Sequence, residues 1–162
     1  MPNEPLRAVF DCNVFWQIFF SGSKGIAAAC WELVTNETIE LFVSPAVLDE
    51  IQDVLTRPET RARFPQATDQ AVAAFLDEIL ENATFVHSAA SHFVYPRDPK
   101  DEPYINLAIE ANAAYIVSRD KDLLDLMTGF DTVSKQFRQR FRPLSVIEPK
   151  GLLEVIRETQ AE

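Results

Sequence analysis

The chain is short of cysteine. Only Cys12 and Cys30 occur in 162 residues. Two thiols are too few for a disulfide framework and read as reduced cysteines of a cytosolic protein. There are two histidines, His87 and His92, and neither has the neighbours a zinc site needs. No apolar run approaches the ~18 residues that would span a bilayer. The start, MPNEPLRAVFD, lacks a basic stretch followed by an apolar core, so no secretory signal is read. The expected location is cytoplasmic, with no membrane association. Basic charge is scarce too: 15 Lys and Arg stand against 25 Asp and Glu, for a net charge of −10. That argues against a passive nucleic-acid binder, which usually carries a basic surface. It leaves room for an enzyme that concentrates carboxylates at a metal site and keeps local basic patches elsewhere. Internal repeats, linkers and low-complexity segments are also missing.

What is present fits one soluble globular domain over residues 1–162, with 47% hydrophobic and 25% charged residues. LRAVF, residues 6–10, reads as a first strand ending at Asp11. Gly22 and Gly25 flank a loop. From there Ile26, Ala29, Cys30, Leu33 and Val34 form a helical stripe. IELFV, residues 39–43, is a second strand. Ser44 and Pro45 then open a helix as N-cap and first helical residue, with Val47, Leu48, Ile51, Val54 and Leu55 on its apolar face. Residues 57–65 read as a short helix or turn, 68–82 as an amphipathic helix, and 84–87 as a short third strand. Residues 88–99 read as a loop. A helix beginning near Asp101 leads into a strand over 113–117 and a further helix. A last strand over 144–147 and a helix from Pro149 close the chain. Alternating strands and helices predict an α/β fold with a mainly parallel sheet and helices on both faces.

The densest acidic stretch is DPKDEPYINLAIEANAAYIVSRDKDLLDL, residues 98–126. A helix that runs into a parallel strand returns the strand's carboxyl end to the side where the helix began. Asp101 therefore comes near Asp120. In open α/β sheets, sites gather at the carboxyl ends of strands, and Asp11 stands at another such end. On the helix after Pro45, Glu50 lies at the edge of the apolar stripe, whereas Asp49 and Asp53 point outward. Glu50 is the acid of that helix best placed to lean over the sheet. Four converging carboxylates repel one another unless a cation sits between them. Mg²⁺ or Mn²⁺ suits all-oxygen ligands, and such ions support phosphodiester cleavage. For any one of these acids, a helix cap or solvated turn is the competing explanation; for Asp101 an N-cap fits well.

These residues resemble the PIN domain, and within it the ribonuclease-like toxin components of toxin–antitoxin modules. The matching stretches are VFDCNVF, SPAVLDEIQDVLTRP and RDPKDEPYINLAIEANAAYIVSRDKDLLDL. They span roughly residues 7–127 in order, leaving 128–162 as a C-terminal strand and helix. The resemblance implies a three-layer α/β/α domain acting as a Mg²⁺- or Mn²⁺-dependent endoribonuclease. It implies that Asp11, Glu50, Asp101 and Asp120 form the acidic set. Asn13 matches a polar position expected to hold Asp11 by hydrogen bonding, and Ser118 matches the Ser or Thr before the fourth acid. Asp122 matches an additional acid expected to reach the metal through water. A cognate antitoxin and a homodimer are also implied. Cys12 stands where Thr is common, Arg119 where Gly is common, and the bulky pair Phe15 and Trp16 follows the signature. These departures bear on substrate choice and loop geometry more than on metal binding.

A basic segment, KQFRQRFR, carries Lys135, Arg138, Arg140 and Arg142 interleaved with Phe137 and Phe141. Cations and aromatic faces in alternation suit a single RNA strand, although two Phe four apart also suit a helix packed on the core. Arg57, Arg61 and Arg63 form a second basic patch. Two rival enzymes remain for the acids. An aspartate-nucleophile phosphatase uses Asp-x-Asp, but position 13 is Asn and does not serve as a general acid. A phosphoacceptor receiver domain places a Lys after a late strand, where this chain has Arg119 and Asp120. The non-enzymatic alternative is a PIN-like module that binds RNA or protein without cutting.

Overall fold

The first strand holds the middle of the sheet. In a computed structural model that describes residues 4–161, β1 (Leu6–Phe10) pairs in parallel with β2 (Ile39–Val43) on one side and β4 (Tyr115–Val117) on the other. The edges are β3 (Thr84–Phe85), beside β2, and β5 (Ser145–Ile147), beside β4. The order is β3-β2-β1-β4-β5, parallel throughout. Ala8, Val9 and Phe10 are fully buried, as expected where both faces of a parallel sheet are covered. The chain steps outward from β1 to β3, then crosses back to β4. Strand order thus reverses between β1 and β4, and the loops leaving these neighbours diverge. A crevice opens there at the carboxyl ends, the usual ligand position in such sheets.

Helices flank the sheet in a three-layer α/β/α arrangement. They are α1 (Cys12–Ser21), α2 (Ile26–Thr35), α3 (Pro45–Thr56), α4 (Pro58–Arg63), α5 (Asp69–Asn82), α6 (Glu102–Glu110), α7 (Lys121–Leu124), α8 (Thr132–Arg140) and α9 (Pro149–Ala161). The Ser44 hydroxyl accepts the Val47 N–H at 3.4 Å and Pro45 follows it, so α3 starts as expected. Val47, Ile51 and Leu55 bury its inner face. Thr68 caps α5 in the same way, through the Ala71 N–H. Among the described residues, no helix is long and apolar enough to cross a membrane.

Two segments depart from the sequence expectations, and a third, expected as a loop, is a loop that packs into the core. Residues 12–21, to which periodicity assigns no element, form α1. This helix is apolar nearly all round: Val14, Phe15 and Ile18 are buried, and Trp16, Phe19 and Phe20 pack against the core. No single stripe therefore stands out. The strand expected over 113–117 begins at Tyr115. Asn112 takes a left-handed φ of 53°, and the Ala113 N–H donates to the Ala108 carbonyl at 2.9 Å, so Ala113 still belongs to the exit of α6. The loop over residues 88–99 is a packed element, with Phe93 and Tyr95 buried at 4% and 2% exposure. Its backbone is satisfied by Asn106 of α6. The Asn106 Oδ1 accepts the N–H groups of His92 and Phe93, and its Nδ2 donates to the Phe93 carbonyl.

Candidate active site

Asp11 sits where β1 ends. Its N–H extends the sheet by one bond, donating to the Val117 carbonyl at 2.9 Å. Its side chain turns into the crevice and caps α1. Oδ1 accepts the Cys12 N–H at 2.7 Å and Oδ2 accepts the Ser118 hydroxyl at 2.6 Å. Ser118, fully buried at the end of β4, also accepts the Asp120 N–H on its Oγ at 2.9 Å. One hydroxyl thereby ties the first acid to the loop carrying the fourth. Asp120 caps α7, its Oδ1 accepting the Asp122 N–H at 2.9 Å. The hydrogen bond expected from Asn13 to Asp11 is not made. Asn13 Oδ1 accepts the Arg119 N–H at 3.3 Å instead, because the first turn of α1 carries residue 13 past Asp11 to the neighbouring loop.

Asp101 arrives on a 3-10 turn over Pro99–Asp101 that precedes α6. It makes no side-chain cap bond to α6, so the capping explanation for this acid fails. The cap of the turn is Asp98, which accepts the Lys100 N–H. Asp101 is 5% exposed and its Oδ2 has no hydrogen-bond partner. Asp11, Asp101 and Asp120 each offer an oxygen within 4.8 Å of the others. Glu50, half-buried on α3, lines the same pocket of about 300 Å³, together with Cys12, Trp16, Asp98 and Lys100. Tyr104 of α6 is fully buried behind it; its hydroxyl has no hydrogen bond of ordinary geometry but lies near enough to Glu50 to favour the ionised carboxylate.

The electrostatics follow from this crowding. Burial pushes Asp11 up to about 6, against the lowering effect of the Ser118 and Cys12 donors, with Glu50 and Asp120 adding repulsion. Burial, followed by Asp11 and Asp120, pushes Asp101 up to about 8. Burial also raises Glu50, opposed by Tyr104, Cys12 and Lys100. The Cys12 thiol is pushed up to about 12 by burial and then by Glu50 and Asp11. It is neutral at physiological pH and is no nucleophile.

Asp122 has a divided role. One of its oxygens groups with Asp98 and Asp120 within 4.8 Å, while Oδ1 lies 2.7 Å from an Arg97 nitrogen that also pairs with Asp125 at 2.9 Å. Asp98 caps the 3-10 turn and also lines the pocket. None of Arg138, Arg140 and Arg142 lines the pocket. Arg138 donates to the Leu126 and Gly129 carbonyls, both at 2.7 Å. Arg140 lies over Phe141, and Arg142 donates to the Arg138 carbonyl. Phe137 is fully buried and packs on Phe93. In the second basic patch, Arg57 pairs with Asp53 and Arg61 with Asp69. Sequence reading missed Lys100, Arg97, Tyr104 and Trp16 as parts of this region. A cation within two residues of Asp98 and an aromatic one turn into α1 were the available signals.

The donor set fits a divalent cation. It is all oxygen, it is crowded, and one buried carboxylate oxygen is left without a partner. A parallel α/β sheet with carboxylates gathered where its strand order reverses defines a class of α/β domains with an acidic site. The family comparison narrows this: the PIN domain model matches residues 7–122, most of the chain, and the chain belongs to the PIN domain family. Among the solved structures that share the fold are these two. VapBC2 from Rickettsia felis, bound to a DNA fragment from its promoter, aligns with a TM-score of 0.55 at 15% identity, covering 88% of this chain and 98% of that one. PAE2754 from Pyrobaculum aerophilum aligns with a TM-score of 0.57 at 15% identity, covering 94% and 90%. No curated protein matches the sequence.

Proposed function

We propose that this chain is a Mg²⁺- or Mn²⁺-dependent endoribonuclease that hydrolyses RNA phosphodiester bonds and acts as the toxin of a toxin–antitoxin pair. The observation that carries the reading is the meeting of Asp11, Asp101 and Asp120 within 4.8 Å, with one Asp101 oxygen buried and unpartnered. Asp11, Glu50, Asp101 and Asp120 would hold the ion, and Asp122 would support it through water. A divalent cation held there would neutralise the carboxylates and would supply Lewis-acid chemistry for phosphodiester hydrolysis. The chain's own part is positional. Ser118 and the Cys12 N–H fix Asp11. The Asp122 N–H fixes Asp120. Asn13 fixes the Arg119 backbone between them. Lys100 meets the phosphate at the rim, and the exposed Arg140 and Arg142 offer further cations to the strand. Cleavage is direct hydrolysis, with no covalent protein intermediate.

The fold shared with VapBC2 and the motif resemblance to toxin components support a cognate antitoxin, a homodimer and a cytoplasmic location. The test is cleavage of labelled RNA with Mg²⁺ or Mn²⁺, with and without EDTA. Asp11→Asn and Asp120→Asn are expected to lose metal-dependent cleavage while keeping the fold by circular dichroism. Wild-type rates in both variants refute the site. Metal-dependent RNA binding with no cleavage by the parent identifies the non-cutting module instead.

A further inference from the structure

The face of α1 that begins at the acidic pocket does not end there. Asn13, Trp16, Gln17 and Phe20 stand at i, i+3, i+4 and i+7, on one side of the helix. Asn13 and Trp16 line the acidic pocket. Trp16, Gln17 and Phe20 line a second, open cavity of about 560 Å³, together with Ile26 and Arg119. Trp16 is the side chain the two cavities share. Its indole is braced from behind. The Phe20 ring lies 4.6 Å away centroid to centroid, and Phe64 meets it edge-on at 5.8 Å and 82°. Arg119 is exposed. Its backbone is held by Asn13 between Ser118 and Asp120, and among the described residues its guanidinium makes no hydrogen bond or ion pair. An open, mostly apolar cavity with an unpaired cation at its rim thus adjoins the carboxylates through one aromatic side chain.

We infer that this cavity is a nucleotide subsite, in which the base next to the cleaved phosphodiester stacks on Trp16 and its phosphate meets Arg119. The inference rests on the nuclease reading of the neighbouring pocket. A nucleic acid suits the cavity better than a protein segment for two reasons. Trp16 lines both cavities, so a strand that leaves the acidic pocket on that side carries its next nucleotide into this cavity by covalent connection. And a chain of net charge −10 repels a polyanion unless local cations offset the field. Arg119 is such a cation, set beside Asp120, where the offset matters most. A flat aromatic face beside a cation is the ordinary platform for single-stranded RNA. Cavity volume is ample for a base and its ribose.

The test uses fluorescein-labelled RNA hexamers, base-bearing or with an abasic ribose at one position, with Mn²⁺ and an Asp120→Asn background to stop turnover. Trp16→Leu is expected to weaken the base-bearing hexamers about fivefold or more and to leave the best-placed abasic hexamer unchanged. Trp16→Phe is expected to restore most of the loss. Arg119→Gln, a surface change that does not threaten folding, is expected to weaken both hexamers alike. It should also reduce the slope of log Kd against log salt by about 0.7. Quenching of tryptophan emission on titrating uridine or adenosine 5′-monophosphate reads the same contact, because the other tryptophan, Trp31, is 9% exposed. Equal affinity in Trp16→Leu and parent, or equal losses for base-bearing and abasic RNA, overturns the subsite. So does a Trp16→Leu variant that keeps RNA binding and loses a co-expressed partner protein instead. If the parent cuts no RNA with Mn²⁺, the nuclease reading falls, while a base-dependent loss in Trp16→Leu still supports the subsite.

Discussion

Replacing Asp101 by Asn should make the metal-free protein more stable and the enzyme inactive. Two unit charges within 4.8 Å of one another repel by at least about 3.5 kcal/mol at an effective dielectric near 20, and Asp101 faces Asp11 and Asp120 together. The folded protein responds by keeping Asp101 protonated, with a pKa pushed up to about 8 by burial and then by those two neighbours. Holding a proton at pH 7 that the unfolded chain would release costs about 1.4 kcal/mol per unit between that pH and the ordinary carboxylate value. Discounted for relaxation of the coupled acids, Asp101→Asn should stabilise the metal-free fold by about 2–4 kcal/mol. The sign with pH follows. Between roughly pH 4 and 8 the folded state binds more protons than the unfolded state through Asp101, and through Asp11 up to about 6. Wild-type stability in EDTA therefore falls as pH rises across that window. Asp101→Asn flattens the fall. Urea unfolding in EDTA at pH 5, 7 and 8 measures both effects, and added Mn²⁺ should raise wild-type stability more than that of the variant. A variant less stable than wild type in EDTA at pH 7 refutes the premise that these carboxylates repel in the fold.

Ser118→Ala should lower both stability and RNA cleavage. It leaves a buried Asp11 oxygen and the Asp120 N–H without their shared partner, a loss of about 2 kcal/mol by chemical denaturation, with cleavage restored in part by Ser118→Thr. Asn106→Ala should cost about 3 kcal/mol by orphaning the backbone groups of His92 and Phe93. Amide exchange should then rise first in residues 92–98, and an exchange pattern unchanged there would show that Asn106 does not hold the loop.

The parts of this structure written in local code were legible in the sequence. The core strands β1 and β2 are short apolar runs ending at polar residues. Ser44 with Pro45 marks the start of α3, and the wheel position of Glu50 follows from that start. The turn of the chain from α6 into β4 predicts that Asp101 and Asp120 meet. What was illegible depends on packing between distant residues. Helix α1 hides because it is apolar on too many sides. Arg97 and Asp98 reach the site because Asn106 anchors the loop that bears them, and nothing near Asn106 in the sequence marks it as an anchor. Asn13 sits in a signature whose obvious partner is Asp11, yet the helix it begins carries it to Arg119.

The same geometry shows how the fold divides the burden of gathering acids. Asp11 and Asp120 each serve as the N-cap of a helix, so backbone donors, and for Asp11 the Ser118 hydroxyl, accept part of their charge. Asp101 has no such donor. The consequence is visible in titration: Asp11, with two donors, is pushed up to about 6, and Asp101, with none, to about 8. Two of the acids are thus supported by the chain itself and fixed in place before any ligand arrives. The third is buried against them, with nothing in the protein to answer its charge. With caps on two carboxylates and none on the third, the proposed cation has its clearest place at Asp101.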